Sequence, residues 1–244
     1  MKVFVVFGSV SDENVSLPLV EDLKKHMYVE YAVISAHRDL EKLREKISTI
    51  RVDAIIAGAG LAAALPGVVA AMTSLPVFGV PVASQFCGLD SFASIAQMPP
   101  GVPVLTCGPD KTDSVVSFLS QWKTAEANRS VHFIVPPEMN AEEDIAKAEK
   151  AALDRGLRVT TSSALRSDSF NVRCVRDERD IKIDEFCLHV PLLSKEDTSD
   201  PQKYLQVLNW SRLGGIWVGV NNTRNAVHAA ARLIQQRGVI DVAA

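Results

Sequence analysis

Short apolar runs alternate with helix-length amphipathic segments along the first half of the chain, and this alternation most limits the fold. Strands covered on both faces are nearly continuous in apolar residues. The runs of this kind are Val3–Phe7, Tyr31–Ile34, Ala54–Ala57 and Val77–Val80. Between them, Leu40–Ile50 places Leu43 and Ile47 on one helical face. The pattern predicts βαβ units with right-handed crossovers, and so an α/β fold of three αβα layers, flavodoxin-like or Rossmann-like, around a parallel sheet.

Polar residues gather where three of these strands end. The stretches are Gly8–Asp12, Ser35–Arg38 and Gly58–Gly60. In an open parallel sheet the carboxyl ends of the strands meet at one crevice, where ligands bind. We therefore expect one pocket that holds serine hydroxyls, a carboxylate, an imidazole and a guanidinium beside glycines that a ligand can approach closely.

The residue types of this pocket suit an anionic ligand. A loop that runs from a strand into a helix presents free backbone N–H groups, so Ser9 and Ser11 suit a phosphate, and Arg38 adds a planar set of donors. Asp12 only accepts hydrogen bonds and suits a ribose diol, although helix capping is the commoner role of Ser11 and Asp12. His37 can give and take a proton near neutral pH, whereas we expect His26, His132, His189 and His228 to be structural.

Charge and cysteine spacing exclude several function classes. The net charge is −3 and the basic residues are scattered, so we expect no nucleic-acid or membrane partner. The apolar start breaks at Gly8, which is too early for a signal peptide or a membrane span, and this predicts a cytoplasmic protein. Cys87, Cys107, Cys174 and Cys187 lack metal-ligand spacing, and no Walker loop is present, so neither a metal nor a cofactor is expected.

The second half of the chain resembles the first. A gapless shift of 128 residues lays Val131–Val135 on Val3–Phe7 and Ser163–Arg166 on Ser35–Arg38. Later, Val190–Ser194 matches the stretch from 80 to 84, and Gly215–Val218 matches that from 101 to 104. We interpret this as a tandem duplication with a truncated second copy. The predicted domains are 1–127 and 128–244, with a boundary near Ala125 to Ser130, and about eighteen residues before Val190 are missing together with the counterpart of Gly58–Gly60.

Four ordered motifs in residues 3 to 122 resemble the PurE-type carboxylases of purine biosynthesis. Two of them, G-S-x-S-D and S-A-H-R, lie at Gly8–Asp12 and Ser35–Arg38. The third, G-A-G-x-A-A-x-L-P-G, lies at Gly58–Gly67, and the fourth, G-L-D-S-x-x-S-I-x-Q-M-P, lies at Gly88–Pro99. Because all four occur in order, the resemblance is specific.

The resemblance implies a cofactor-free carboxyl transfer on aminoimidazole ribonucleotide, from the N5-carboxyamino form or from CO2, with His37 as the catalytic general acid and base. It implies that the partners of the chain are a small ribonucleotide and CO2. The substrate-binding residues that it implies are Gly8, Ser9, Ser11, Asp12, Ser35, Arg38, Gly58, Ala59, Gly60 and Leu61.

The chain departs from the family pattern in three places. Leu61 and Ala64 stand where the family usually has a glycine and a histidine, and Asp39-Leu40 replaces Thr-Pro. The segment Ser84–Gly88 is one residue shorter than usual. These changes leave two alternatives open: a PurE-like carboxylase acting on another mononucleotide, such as a pyridine mononucleotide, or a non-catalytic nucleotide-binding protein.

The second half lacks the site residues. Under the shift, Ser9, Ser11, Asp12 and His37 become Pro137, Met139, Asn140 and Leu165, and only Arg166 remains, as an expected ion-pair residue. Since the family assembles as octamers, we expect four chains of this protein to form a tetramer that mimics an octamer. The small-residue helix Asn225–Ile234 is then expected to pack at a contact between chains.

Overall fold

A computed structural model describes residues 1–122 and 129–242, with side chains described as far as residue 236. Ten strands join in one sheet. The strands are β1 (Lys2–Phe7), β2 (Tyr28–Val33), β3 (Ala54–Ala59), β4 (Val77–Pro81), β5 (Leu105–Cys107), β6 (Ser130–Ile134), β7 (Arg158–Ser162), β8 (Phe170–Val175), β9 (Cys187–Pro191) and β10 (Ile216–Trp217). The helices are α1 (Glu13–Lys24), α2 (Leu40–Thr49), α3 (Leu65–Met72), α4 (Leu89–Ala96), α5 (Thr112–Trp122), α6 (Glu142–Leu153), α7 (Pro201–Ser211) and α8 (Thr223–Val242).

The sheet confirms the predicted α/β class. Its strand order is β2-β1-β3-β4-β5-β10-β9-β8-β6-β7. The first five strands follow the flavodoxin-like order, and the last five repeat that order from the opposite edge. Neighbouring strands are parallel except for β5 and β10, which pair antiparallel where the two halves meet.

The core packing shows which helices cover each face of the sheet. One apolar cluster buries Leu19 of α1, Phe118 of α5, Ala148 of α6 and Val227 of α8 against one face of the sheet. On the other face of the first half, Leu43 and other residues of α2 and α3 cover strand residues that include Phe4, Ile55 and Ala57. Four predicted strands and the helix at Leu40 therefore form as expected, and β2 begins three residues earlier than predicted, at Tyr28.

Within its described residues, the second half has the same strand order as the first half but lacks two of its helices. β8 pairs with β6 and β9, as β3 pairs with β1 and β4. The expected loss of the counterpart of Gly58–Gly60 is therefore wrong. What is absent between β7 and β9 is any counterpart of α2 and α3, because the connections at 163–169 and 176–186 hold only a short 3₁₀ turn at Glu178–Asp180.

The strand register also shows that the two halves do not match without a gap beyond their first strands. Lys2 pairs with Tyr28, whereas Ser130 pairs with Arg158, so the second connection is two residues longer. Beyond this connection, position 37 therefore corresponds to Ser167 instead of the expected Leu165. The strand β10 likewise corresponds to β5, because Ile216 lies beside Leu188 as Leu105 lies beside Phe78.

The two halves meet in a nearly symmetric joint. A Cβ on Gly108, after β5, would lie 2.1 Å from the carbonyl oxygen of Ser211 at the end of α7. A Cβ on Gly219, after β10, would lie 2.6 Å from the carbonyl oxygen of Ala96 at the end of α4. Each half therefore needs a glycine where the helix of the other half approaches, as in an isologous contact.

The predicted contact between chains through Asn225–Ile234 is wrong as placed, because α8 is buried within its own chain. Ala226, Val227 and Ala230 have no exposed surface, and Arg232 donates to the carbonyl oxygens of Ala70 and Leu75 in the first half. The predicted boundary between 127 and 128 falls at the edge of residues 123–128, which lie outside the described residues. None of the helices in the described part of the chain is long and apolar enough to cross a membrane.

Candidate active site

The carboxyl ends of β1, β2 and β3 enclose a cavity of about 330 Å³. Its lining contains all the predicted site residues except Gly58. The lining residues are Gly8, Ser9, Ser11, Asp12, Ser35, Ala36, His37, Arg38, Ala59, Gly60, Leu61, Ala62, Ala64 and Leu65. Three loops that are far apart in sequence therefore meet as the parallel sheet requires.

Ser9 gives the first loop its shape. Its hydroxyl oxygen accepts a hydrogen bond from the backbone N–H of Ser11 at 3.2 Å and lies 2.8 Å from the Ser11 hydroxyl oxygen. These contacts cap a short 3₁₀ turn at Val10–Asp12, which leads directly into α1. The Ser9 and Ser11 side chains consequently lie at the cavity wall, where hydroxyl groups suit an anion.

Asp12 makes no capping hydrogen bond, although it immediately precedes α1. Its carboxylate accepts a hydrogen bond from the Ser11 hydroxyl at 3.2 Å and is largely buried. Burial raises the pKa of Asp12, against the lowering effect of the Ser11 hydrogen bond. Since capping does not explain this carboxylate, it is available as an acceptor for a ligand hydroxyl.

The second loop carries the two side chains best suited to proton transfer and anion binding, those of His37 and Arg38. Ser35 is buried, and its hydroxyl accepts a hydrogen bond from the backbone N–H of Arg38 at 3.3 Å. The side chains of His37 and Arg38 are exposed at the cavity, and neither makes a hydrogen bond or ion pair with the described residues. Asp39 does not line the cavity and is the residue that immediately precedes α2.

Gly58 lies within β3 and contacts the residues at the end of β1. Its carbonyl oxygen accepts a hydrogen bond from the backbone N–H of Gly8 at 3.1 Å. A Cβ at this position would lie 2.2 Å from the ring of Phe7, so only glycine fits there. Gly58 therefore joins two of the loops without lining the cavity itself.

Sequence reasoning did not assign Ala36, Ala62, Ala64 and Leu65 to the site. Ala62 has a φ of 48°, an uncommon conformation for a residue with a Cβ, and it turns the third loop into α3. Ala36 lies in the S-A-H-R motif, and the other three residues lie in the third motif, at Gly58–Gly67. Their small apolar side chains, however, carried no chemical signal of their own.

The corresponding crevice of the second half has a different character. It is lined by apolar residues that include Pro136, Pro137 and Met139. Glu142, Glu143 and Asp144 occupy the first turn of α6, where negative charge disfavours an anion. Arg166 does not face this crevice, and it forms a bidentate ion pair with Asp168, as expected of a structural arginine.

The other expected structural residues have well-defined surroundings. The His132 ring nitrogens lie 2.7 Å from the Thr160 hydroxyl and 3.0 Å from the Ala164 carbonyl, and burial lowers the pKa of His132. His189 is buried and stacks on Trp217, and burial lowers its pKa to about 4. Cys87 is exposed, whereas the other three cysteines are buried. No cluster of acidic, histidine or cysteine side chains within the described ranges is arranged to hold a metal ion.

Comparison with known proteins places the first half. The family model described as AIR carboxylase matches residues 2–120. The N5-carboxyaminoimidazole ribonucleotide mutase of Pyrococcus abyssi is 48% identical over 118 residues, which cover 45% of this chain and 66% of that protein. The mutase of Methanocaldococcus jannaschii is 44% identical over 111 residues, which cover 45% of this chain and 71% of that protein.

One solved structure aligns with about half of the chain. The crystal structure of Treponema denticola PurE aligns with 49% of this chain and 77% of its own chain, at 22% sequence identity and a TM-score of 0.41. The matched part of this chain spans 66% of the length of the Pyrococcus abyssi mutase and 71% of the length of the Methanocaldococcus jannaschii mutase.

Proposed function

Because the chain belongs to the AIR carboxylase family, we propose that residues 1–127 catalyse carboxyl transfer on aminoimidazole ribonucleotide in purine biosynthesis. The proposed reaction converts the N5-carboxyamino ribonucleotide to the carboxylated imidazole, as the names of the relatives indicate for those proteins. The observation that carries the proposal is the meeting of His37, Arg38 and the Ser9–Ser11 loop in one cavity.

The charges of the cavity support an orientation for the ribonucleotide. The phosphate would bind the hydroxyls of the first loop together with the Arg38 guanidinium, which has no anionic partner in the described residues. Asp12 would accept hydrogen bonds from the ribose hydroxyls. The imidazole base would then extend toward Gly60 and Leu61, with His37 beside its reacting edge.

His37 can carry the proton through both steps. As the N–CO2 bond breaks, the imidazolium of His37 protonates the departing nitrogen, and CO2 stays in the cavity. The imidazole carbon then bonds to CO2, and the neutral His37 ring removes the proton from that carbon, which restores the imidazolium. The pocket contributes by holding CO2 against the base and by limiting access of water.

A direct assay separates the two carboxyl sources. Purified protein is incubated with the N5-carboxyamino ribonucleotide, and separately with aminoimidazole ribonucleotide plus bicarbonate, while the carboxylated product is measured. We expect turnover of the carboxyamino substrate. Turnover only with bicarbonate identifies a CO2-using carboxylase, and turnover of neither contradicts the proposed function.

The second half is, in this proposal, a degenerate copy with a structural role. The shared strand order supports a copy, and the apolar, acidic crevice supports the absence of a ribonucleotide site. We expect four chains to assemble in the cytoplasm, with four working sites among eight related domains. A solution mass near four chains supports this assembly, and a stable monomer contradicts it.

A further inference from the structure

The loop that follows β4 borders the catalytic cavity. We call residues Ser84–Gly88 the β4 loop. The Ser84 hydroxyl oxygen lies 3.6 Å from the position that a Cβ on Gly60 would take, and Gly60 lines the cavity. The course of this loop therefore determines the wall beside Gly60.

The backbone of the β4 loop is in an uncommon conformation. Phe86, Cys87 and Gly88 have φ angles of 45°, 54° and 82°, so three successive residues are left-handed. For each of the two residues with a Cβ, this conformation is unfavourable. The Phe86 side chain is 75% exposed, so burial of its ring does not hold the loop.

Two side chains from outside the loop hold it instead. The Ser91 hydroxyl contacts the carbonyl oxygens of Val82 at 3.0 Å and Gly88 at 3.1 Å and thereby closes the base of the loop. At the tip, the Arg212 guanidinium of the second half donates to the carbonyl oxygen of Cys87 at 2.5 Å.

Arg212 is itself firmly placed. It follows α7, and its backbone N–H donates to the carbonyl oxygen of Leu208 at 3.2 Å. Gly108 of the first half packs against the backbone of Ser211 and Arg212, so closely that no larger residue fits. The guanidinium therefore starts from a backbone position that the joint between the halves fixes.

We propose that Arg212 is a positioning residue for the catalytic cavity, which holds the β4 loop in its left-handed course and so fixes the wall beside Gly60. This inference rests on the proposed function, in which that wall faces the base of the ribonucleotide. It gives the second half a part in catalysis without contact with the substrate.

Hydrogen–deuterium exchange tests the hold on the loop without any substrate. The backbone N–H groups of Gly88 and Leu89 donate to the carbonyl oxygens of Gln85 and Phe86, so the rate of deuterium labelling of these amides reports on the loop. Loss of a charge-assisted hydrogen bond predicts that Arg212→Ala raises the rate of deuterium labelling of the loop about tenfold. Arg212→Lys, which keeps a single donor, is expected to fall between that variant and the wild type.

The matched control is Arg179→Ala, which removes an exposed arginine paired with Asp177 in the same half. It is expected to label at the wild-type rate. If Arg212→Ala also labels at that rate, Arg212 does not hold the loop and the inference is overturned.

Kinetics test the effect on the cavity. Arg212→Ala is expected to raise KM for the ribonucleotide about tenfold while kcat changes less, with partial recovery in Arg212→Lys. A faster-labelling Arg212→Ala with unchanged KM and kcat overturns the positioning role. A wild type that turns over no ribonucleotide overturns the proposed function instead, and the labelling rates still decide whether Arg212 holds the loop.

Discussion

The two halves of the sheet differ most on the face that α2 and α3 cover in the first half. There, the first half buries apolar strand residues under two helices. The second half has loops at the same place, and several of its strand residues on that face are polar where the first half has apolar ones. By register, the replacements are His132 for Phe4, Asn171 for Ile55 and Arg173 for Ala57.

This difference shows that a covering helix does more for a sheet than bury apolar surface area. A helix satisfies its own backbone and presents an apolar stripe, whereas a loop presents backbone N–H and C=O groups that need partners. Asn171 meets that need, since its amide nitrogen donates to the carbonyl oxygen of Arg166 at 2.8 Å. The two halves therefore share a strand order although their covering helices and the loops at their strand ends differ.

The largest expected effect comes from removing the proposed proton carrier of the first half. Because His37 is the proposed proton carrier, His37→Asn is expected to lower kcat about 10³-fold, while the affinity for the product stays within about tenfold. Steady-state kinetics and calorimetry measure the two quantities. His26→Asn, an exposed change in the same half, is the control and is expected to keep wild-type kcat. An active His37→Asn enzyme contradicts the mechanism.

The second prediction compares two arginines that the gapless match had aligned. Arg38 has no anionic partner in the described residues, whereas Arg166 is held by Asp168. Arg38→Ala is expected to weaken ribonucleotide binding by about 1.5–3 kcal/mol, with little change for the nucleoside that lacks the phosphate. Arg166→Ala is expected to bind both ligands like the wild type. An equal loss for both ligands in Arg38→Ala would refute the phosphate assignment.

The third prediction concerns acid stability, which we expect the buried histidines of the second half to limit. His189 has a folded pKa of about 4, below its ordinary value of 6.5, so the unfolded chain takes up the proton first as the pH falls. Its contribution is complete above about pH 6.5 and declines toward pH 4, by about 2 kcal/mol between about pH 7 and about pH 5. Denaturant unfolding of His189→Gln should show a correspondingly smaller fall than the wild type. Equal falls would exclude this role for His189.

The sequence predicted the first half better than the second for a physical reason. β1, β3 and β4 are almost wholly apolar because helices cover both faces, and such runs are easy to recognise. β8 was missed because Asn171 and Arg173 interrupt its apolar residues, although all six of its residues are buried. The contacts of these side chains with distant loops are not visible in local sequence.

The candidate site was predictable to the extent that it follows strand ends. Position at a strand end and residue type predicted His37, Arg38 and the serines of the first loop. All of them line the same cavity. Gly58 was expected to line the cavity, but it packs against Phe7 instead. The sequence does not distinguish a glycine that packs against an aromatic ring from a glycine that contacts a ligand. The role of α8 was also misjudged, since a helix rich in alanine packs equally well within a chain or between chains.

The central claim is that this chain has one ribonucleotide site, in its first half, and none in its second. Calorimetric titration of the protein with the carboxylated ribonucleotide measures the number of sites per chain directly. We expect about one ligand per chain in the wild type, with affinity lost in Arg38→Ala and retained in Arg166→Ala. Two ligands bound per chain, or affinity lost in Arg166→Ala and retained in Arg38→Ala, would contradict the account.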